Sequence, residues 1–123
     1  MSHVPSISLN VGDSIAAYRI VKISSGSAVI CDTVTAIPVG ITQNNAQNSG
    51  QAVEVGLYGK LKLEFNETMT AGALFQANAA GQGVPFASLT AGSYAVGICL
   101  DTVSATGTIA NVLFQPHWKL TNP

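Results

Sequence analysis

The side chains able to do chemistry in this 123-residue chain are few and far apart. Two histidines, His3 and His117, stand near the termini, and two cysteines, Cys31 and Cys99, sit in the apolar settings AVICD and VGICLD. A thiol nucleophile needs a histidine beside it, and neither spacing supplies one. Such cysteines read instead as small buried hydrophobes. No G-x-S-x-G elbow occurs. Neither C-x-x-C, nor H-x-x-x-H, nor an Asp-rich loop is present, so no metal set is expected. The carboxylates Asp13, Asp32, Glu54, Glu64, Glu67 and Asp101 are scattered. Two of them could meet in space, as glycosidases require, but the spacing favours no pair. Gly81-Gln82-Gly83 lacks the third glycine and the following helix of a dinucleotide loop, and reads as a hairpin turn. No catalytic, cofactor-binding or metal-binding residue is assigned, no cofactor is expected, and the chain is expected not to be an enzyme.

Composition narrows the partners. The chain is 47% apolar but only 9% charged, against a usual charged fraction of about 25%. A surface so poor in charge has little self-repulsion, which suits extensive contact with other subunits. The five basic residues, Arg19, Lys22, Lys60, Lys62 and Lys119, are too few to neutralise many phosphates, so nucleic acid is not an expected partner. The apolar runs are too short for a membrane span, and no membrane partner is expected. The opening MSHVPSISLNVGDS lacks the basic and apolar regions of a signal peptide, so the chain is expected to act where it is made.

The elements that would position these residues are strands. No sustained helical stripe of apolar residues occurs. From Val53 to Phe65 the chain alternates: Val53, Val55, Leu57, Leu61, Leu63 and Phe65 fall on one face, and Glu54, Tyr58, Lys60, Lys62 and Glu64 on the other. Gly59 falls where the apolar face needs a side chain, and predicts a bend that splits this run. Further strands are predicted over 18–23, 28–31, 37–42, 74–77, 94–100 and 109–114, with glycine turns between them. One short helical turn fits 42–48 or 100–104, the latter capped by Asp101. Residues 1–13 read as an N-terminal arm or as a strand of the domain itself; an arm with Val4, Ile7 and Leu9 would dock by strand addition. Residues 14–116 form the single domain, and 117–123 a tail holding the only tryptophan, Trp118.

The domain is written twice. At an offset of 57, Val39-Gly40-Ile41 matches Val96-Gly97-Ile98, Gly50 matches Gly107, and Val55 matches Val112. Upstream, Tyr18 falls on Phe75 and Gly26 on Gly83. The expected architecture is all-β, a small barrel or sandwich of two related units over about 14–59 and 71–116, sharing one core about a pseudo-twofold.

The order AYRIVKISSGSAV, IPVGITQNNAQNSGQAVEVGLYG, TAGALFQANAAGQGV and AVGICLDTVSATGTIANVLF, spanning most of the chain, resembles the capsid cement, or head decoration, proteins of tailed bacteriophages. It departs from them at ITQNNAQNSGQ, where Asn and Gln stand in place of Ala and acidic residues. The resemblance implies a structural virion protein on the outer surface of the capsid. It would bind the major capsid protein, sit as a homotrimer, and staple neighbouring capsid subunits of the expanded head. Candidate contact residues are Val4, Ile7, Leu9, Tyr58 and Trp118.

Three alternatives belong to other classes. One is a glycan-binding module using the amide loop 43–51 and the facing loop 104–108, with Tyr58 or Tyr94 as a stacking platform. Another is an enzyme with a cleft built from Asp32, Asp101 or His117. The last is a different structural part of a virion, in tail or fibre.

Overall fold

The computed structural model describes residues 6–31, 38–57, 59–78, 80–85 and 93–120, with side chains described over 97–114 of the last segment. Ten strands follow in order: β1 (Ser6–Asn10), β2 (Ile20–Ser24), β3 (Ser27–Ile30), β4 (Gly40–Thr42), β5 (Ala52–Gly56), β6 (Gly59–Glu64), β7 (Leu74–Ala77), β8 (Gly83–Pro85), β9 (Ser93–Cys99) and β10 (Ile109–Leu120). They form two five-stranded antiparallel sheets, ordered β1-β5-β4-β2-β3 and β6-β10-β9-β7-β8. Adding five to each strand of the first sheet reproduces the second. The internal repeat is therefore a repeat of topology.

The pairing details repeat as well. A parallel bridge joins Val11 to Ala28 in the first unit and Phe65 to Gly83 in the second; an antiparallel bridge joins Ile15 to Ala46 and Met69 to Val103. Each parallel bridge brings the two edges of a sheet together at one place. The sheets curl but do not close into barrels, so the sandwich-like alternative describes the fold. Equivalent residues lie 57 apart at Ala46 and Val103 but 54 apart at Val11 and Phe65. A constant offset thus misaligns the earlier strands. Tyr18, whose N–H donates to Thr42 O at 2.7 Å, corresponds to Gly72, whose N–H donates to Cys99 O at 2.7 Å. Phe75 is instead the counterpart of Val21.

The long alternating run divides as its pattern predicts. Val53 and Val55 belong to the first sheet, Leu61 and Leu63 to the second, and Gly59 begins β6 at φ 94°. Its apolar face serves two cores rather than one. Val53 and Val55 join Val11, Ile15, Val21, Ala28 and Ala46 in a cluster inside the first unit. Leu61, Leu63 and Phe65 join Phe75, Val112 and Phe114 in a larger cluster inside the second. That larger cluster also takes in Ile20, Cys31 and Ile41 from the first sheet. Phe65 and Phe75 meet edge to face there, with ring centres 5.7 Å apart, the arrangement aromatic quadrupoles favour.

The units are not related by a twofold. In a twofold contact equivalent residues meet reciprocally. Here Ile20 is buried against the second unit, while its counterpart Leu74 is exposed. The first sheet thus lays its outer side over the second unit's core, while the outer side of the second sheet keeps Leu74 exposed and buries Gln76 and Val84.

Three sequence expectations are corrected. No helix occurs among the described residues: Ala46 and Val103, inside the two proposed turns, are held by bridges to Ile15 and Met69. Gly83 is not only a turn residue but the start of β8, with Ala77 and Gly83 in register. Strand β10 continues past residue 114 to Leu120, after a register shift between Phe114 and Trp118.

Sterics explain the repeated Val-Gly-Ile. A Cβ on Gly40 would lie 2.3 Å from Gly56 O, and one on Gly97 would lie 2.1 Å from Leu113 O. Both clashes are with backbone of the neighbouring strand, which cannot turn aside. Gly40→Ala and Gly97→Ala should each lower stability by at least about 3 kcal/mol, the upper range of overpacking. Gly50, at φ 85° with open space around it, should cost only about 1 kcal/mol on change to alanine. Urea denaturation midpoints of the three variants check the ranking.

Candidate interaction surfaces

The seam between the units carries the strongest polar cluster. The N–H of Ile20 donates to Gly81 O at 2.7 Å, and the N–H of Glu64 to Tyr18 O at 3.0 Å. Arg19 Nη2 reaches Glu64 Oε2 at 3.2 Å and Arg19 Nη1 donates to Ala80 O at 3.1 Å. Gln82 Nε2 donates to the same Glu64 oxygen at 2.6 Å. These groups are half-buried, where charged hydrogen bonds hold an orientation better than at a free surface. Arg19 thus forms its ion pair inside the chain, across the seam between the two sheets. Lys60 and Lys62 are exposed on β6, an edge strand of the second sheet, where lysines discourage unwanted strand pairing.

The Asn/Gln-rich loop is largely occupied by its own chain. Asn44 Oδ1 accepts from Glu54 N at 2.8 Å, and Asn45 Oδ1 from Ala17 N at 2.7 Å. Gln51 Oε1 accepts from Gln47 N and Asn48 N. In the second unit Asp101 Oδ2 accepts from Asn111 N at 3.0 Å, the counterpart of the Asn44 bond. The amides that stand out in the sequence therefore tie a loop down, and an acid performs the same task one repeat later. Asp101 is engaged in this way, Glu64 in the seam, and Glu54 accepts from Ser6 Oγ at 2.6 Å. Asp32 lies outside the described residues.

Both thiols are buried, as their apolar settings predict. Cys99 donates to Asp101 O at 2.8 Å. Burial pushes its pKa above the ordinary thiol value; a backbone interaction with Asp101 that favours the thiolate works against this, and the nearby Asp101 charge adds to the rise. Groups of three or more metal-ligating side chains are absent among the described residues.

The proposed contact residues are spread out. Ile7 is exposed on β1, and Leu9 is half-buried against the first unit's cluster. Both belong to a strand paired with β5 of the same sheet. Trp118 lies on β10, its backbone opposite Ala95. Val4 and Tyr58 lie outside the described residues. Sequence reasoning missed the exposed apolar residues of the second sheet, Leu74, Leu100 and Ile109. For Leu74 a signal was present in the repeat: it occupies the place of Ile20, which is buried at the seam.

Two results follow for measurement. Asn44→Ala and Asp101→Ala should each cost about 1 kcal/mol, the usual net worth of a hydrogen bond. Asn44→Asp and Asp101→Asn should stay near wild type, since each unit already uses the other's residue; thermal melts of the four variants test this. Cys99, with its folded pKa raised, favours the native state fully below the ordinary thiol value. That contribution is lost as pH rises through the folded value. Stability should therefore fall on the alkaline side, and fall less in Cys99→Ala after correction for its lower baseline.

No protein-family model matches the chain, and no curated protein matches it. Among solved structures, the chain is similar to the N base of the head fibre protein gp8.5 of bacteriophage phi29. The TM-score is 0.73 at 14% sequence identity, covering 96% of this chain and 98% of that one. At that identity the likeness establishes a shared fold over nearly the whole of both chains.

Proposed function

We propose that this chain is a structural protein of a phage particle, carried on the outside of the head. The single observation that supports this most is the fold shared end to end with a phage head fibre base. The residue order reached the same class independently through its resemblance to head decoration proteins. The engaged amide loop gives the glycan reading less support, because many of its acceptors already serve the backbone.

In this reading the chain binds the major capsid protein as a homotrimer and staples neighbouring subunits of the expanded shell. The work is physical. Each bridging subunit removes apolar area from water at about 25 cal/mol per Å², and many copies engaged at once multiply a modest contact. With 9% charged residues, few ions need to be desolvated at such a seam.

Co-sedimentation with decoration-free heads tests the reading. Saturable binding to expanded heads, at a fixed ratio to the major capsid protein and absent from unexpanded heads, is expected. Binding to neither form would overturn the head assignment and direct attention to tail or fibre parts.

A further inference from the structure

The large apolar side chains that the described residues leave exposed fall into two sets. Leu74, Leu100 and Ile109, at 43%, 42% and 46% exposure, belong to the second unit, and Ile7 and Ile23, at 42% and 45%, to the first. The repeat shows what each set lacks. Leu74 pairs with Ile98 as Ile20 pairs with Ile41. Ile20 and Ile41 are fully buried in the second unit's cluster, whereas Leu74 has no such cover. Conversely, Ile7 lies opposite Val55 as Leu61 lies opposite Val112, and Ile23 lies opposite Ala28 as Ala77 lies opposite Gly83. Leu61 and Ala77 are buried in the cluster that Ile20 and Ile41 enter. Leu74 is therefore an uncovered counterpart of one side of the inter-unit contact, and the second set an uncovered copy of the other; Leu100 and Ile109 stand in the places of Gln43 and Ala52, outside that cluster.

We infer that these two faces bind each other between copies of this chain. The outer side of the second sheet, bearing Leu74, docks head to tail on the side of the first unit that bears Ile7 and Ile23. The occupant follows from the fold: the surface that already covers the counterpart of each face is another unit of the same topology. The contact is heterologous, joining unlike patches. It is not an atom-for-atom copy. Leu113 stands where Gly56 packs beneath Leu61, and Ala73 and Asn10 stand where Arg19 and Glu64 pair. The contact between copies thus has a bulkier apolar centre and lacks that ion pair. This inference does not depend on the head assignment.

Sedimentation velocity of the full chain, without heads, tests it. Wild type should sediment as an assembly larger than the monomer. Leu74→Glu and Ile23→Glu should each be monomeric, because each blocks one of the two faces. Mixed together they should form a 1:1 dimer through the two intact faces, which a contact between like faces would not produce. Thermal melts confirm folding, and Leu74→Ser with Ile23→Ser replaces the pair if a glutamate variant unfolds. Wild type that stays monomeric at its highest soluble concentration would overturn the inference, as would variants that assemble like wild type or fail to complement. A monomeric wild type whose head binding is lost in Leu74→Glu would assign the face to the capsid instead, overturning this inference while leaving the head assignment intact.

Discussion

Ile20 and Ile41 lie side by side on the first sheet, and the second unit's core forms over them. That cluster draws Leu61, Leu63, Phe75, Val112 and Phe114 from its own sheet, but it also takes in Ile20, Cys31 and Ile41 from the other. Fully burying a side chain of this size stabilises by about 1.5–3 kcal/mol. The first unit's outer side and the second unit's core therefore form one hydrophobic body. Register along the seam is set by directional bonds: Ile20 N–H to Gly81 O, Glu64 N–H to Tyr18 O, and the Arg19–Glu64 pair. Apolar area supplies the attraction, and these polar bonds select one docking geometry.

A second constraint lies within each unit. The curl of each sheet depends on bringing β4 against β5, and β9 against β10, closely enough that the neighbouring carbonyl occupies the space a Cβ would need at Gly40 and Gly97. The Val-Gly-Ile phrase marks this approach. It appears twice because the same strand crossing is made twice, with Thr42 and Cys99 following as buried counterparts. Thr42 Oγ1 donates to Ala16 O at 2.9 Å and accepts from Arg19 N at 3.0 Å, whereas the Cys99 thiol donates forward to Asp101 O. The backbone of the repeat is kept while its buried polar contacts differ.

Much of the strand content was legible because period-2 alternation is a direct consequence of burying one side of a pleated strand. The run from Val53 to Phe65 and its break at Gly59 follow from that rule. Strand β8 was not legible, since Gly83–Pro85 is three residues with a glycine and a proline at its ends and carries no alternation. The turn expected at Asp101 failed for a different reason. An aspartate before a short apolar segment resembles a helix cap, yet its carboxylate is used by Asn111 across the loop. The twofold failed because Ile20 and Leu74 are equally apolar, and composition does not record which of two equivalent residues is covered. The candidate surface was legible in part: Ile7 was singled out on β1, but its complement on the second sheet emerged only once strand pairing identified counterparts.

A tandem of similar units joined by unlike faces has unequal ends. A twofold pair satisfies its apolar faces reciprocally and can be left polar outside. A head-to-tail pair satisfies one face of each unit and leaves one face of each unsatisfied, so its uncovered faces are complementary by construction. The charge pattern permits those faces to meet. At a formal net charge of −1 with 9% charged residues, long-range repulsion between copies is weak. Lys60 and Lys62 are exposed on the edge strand β6, and Lys60 lies opposite Leu113, which pairs with Ile98 beside Leu74, so one lysine borders the face that bears Leu74. Short-range apolar fit, rather than a long-range field, then governs what this molecule assembles with.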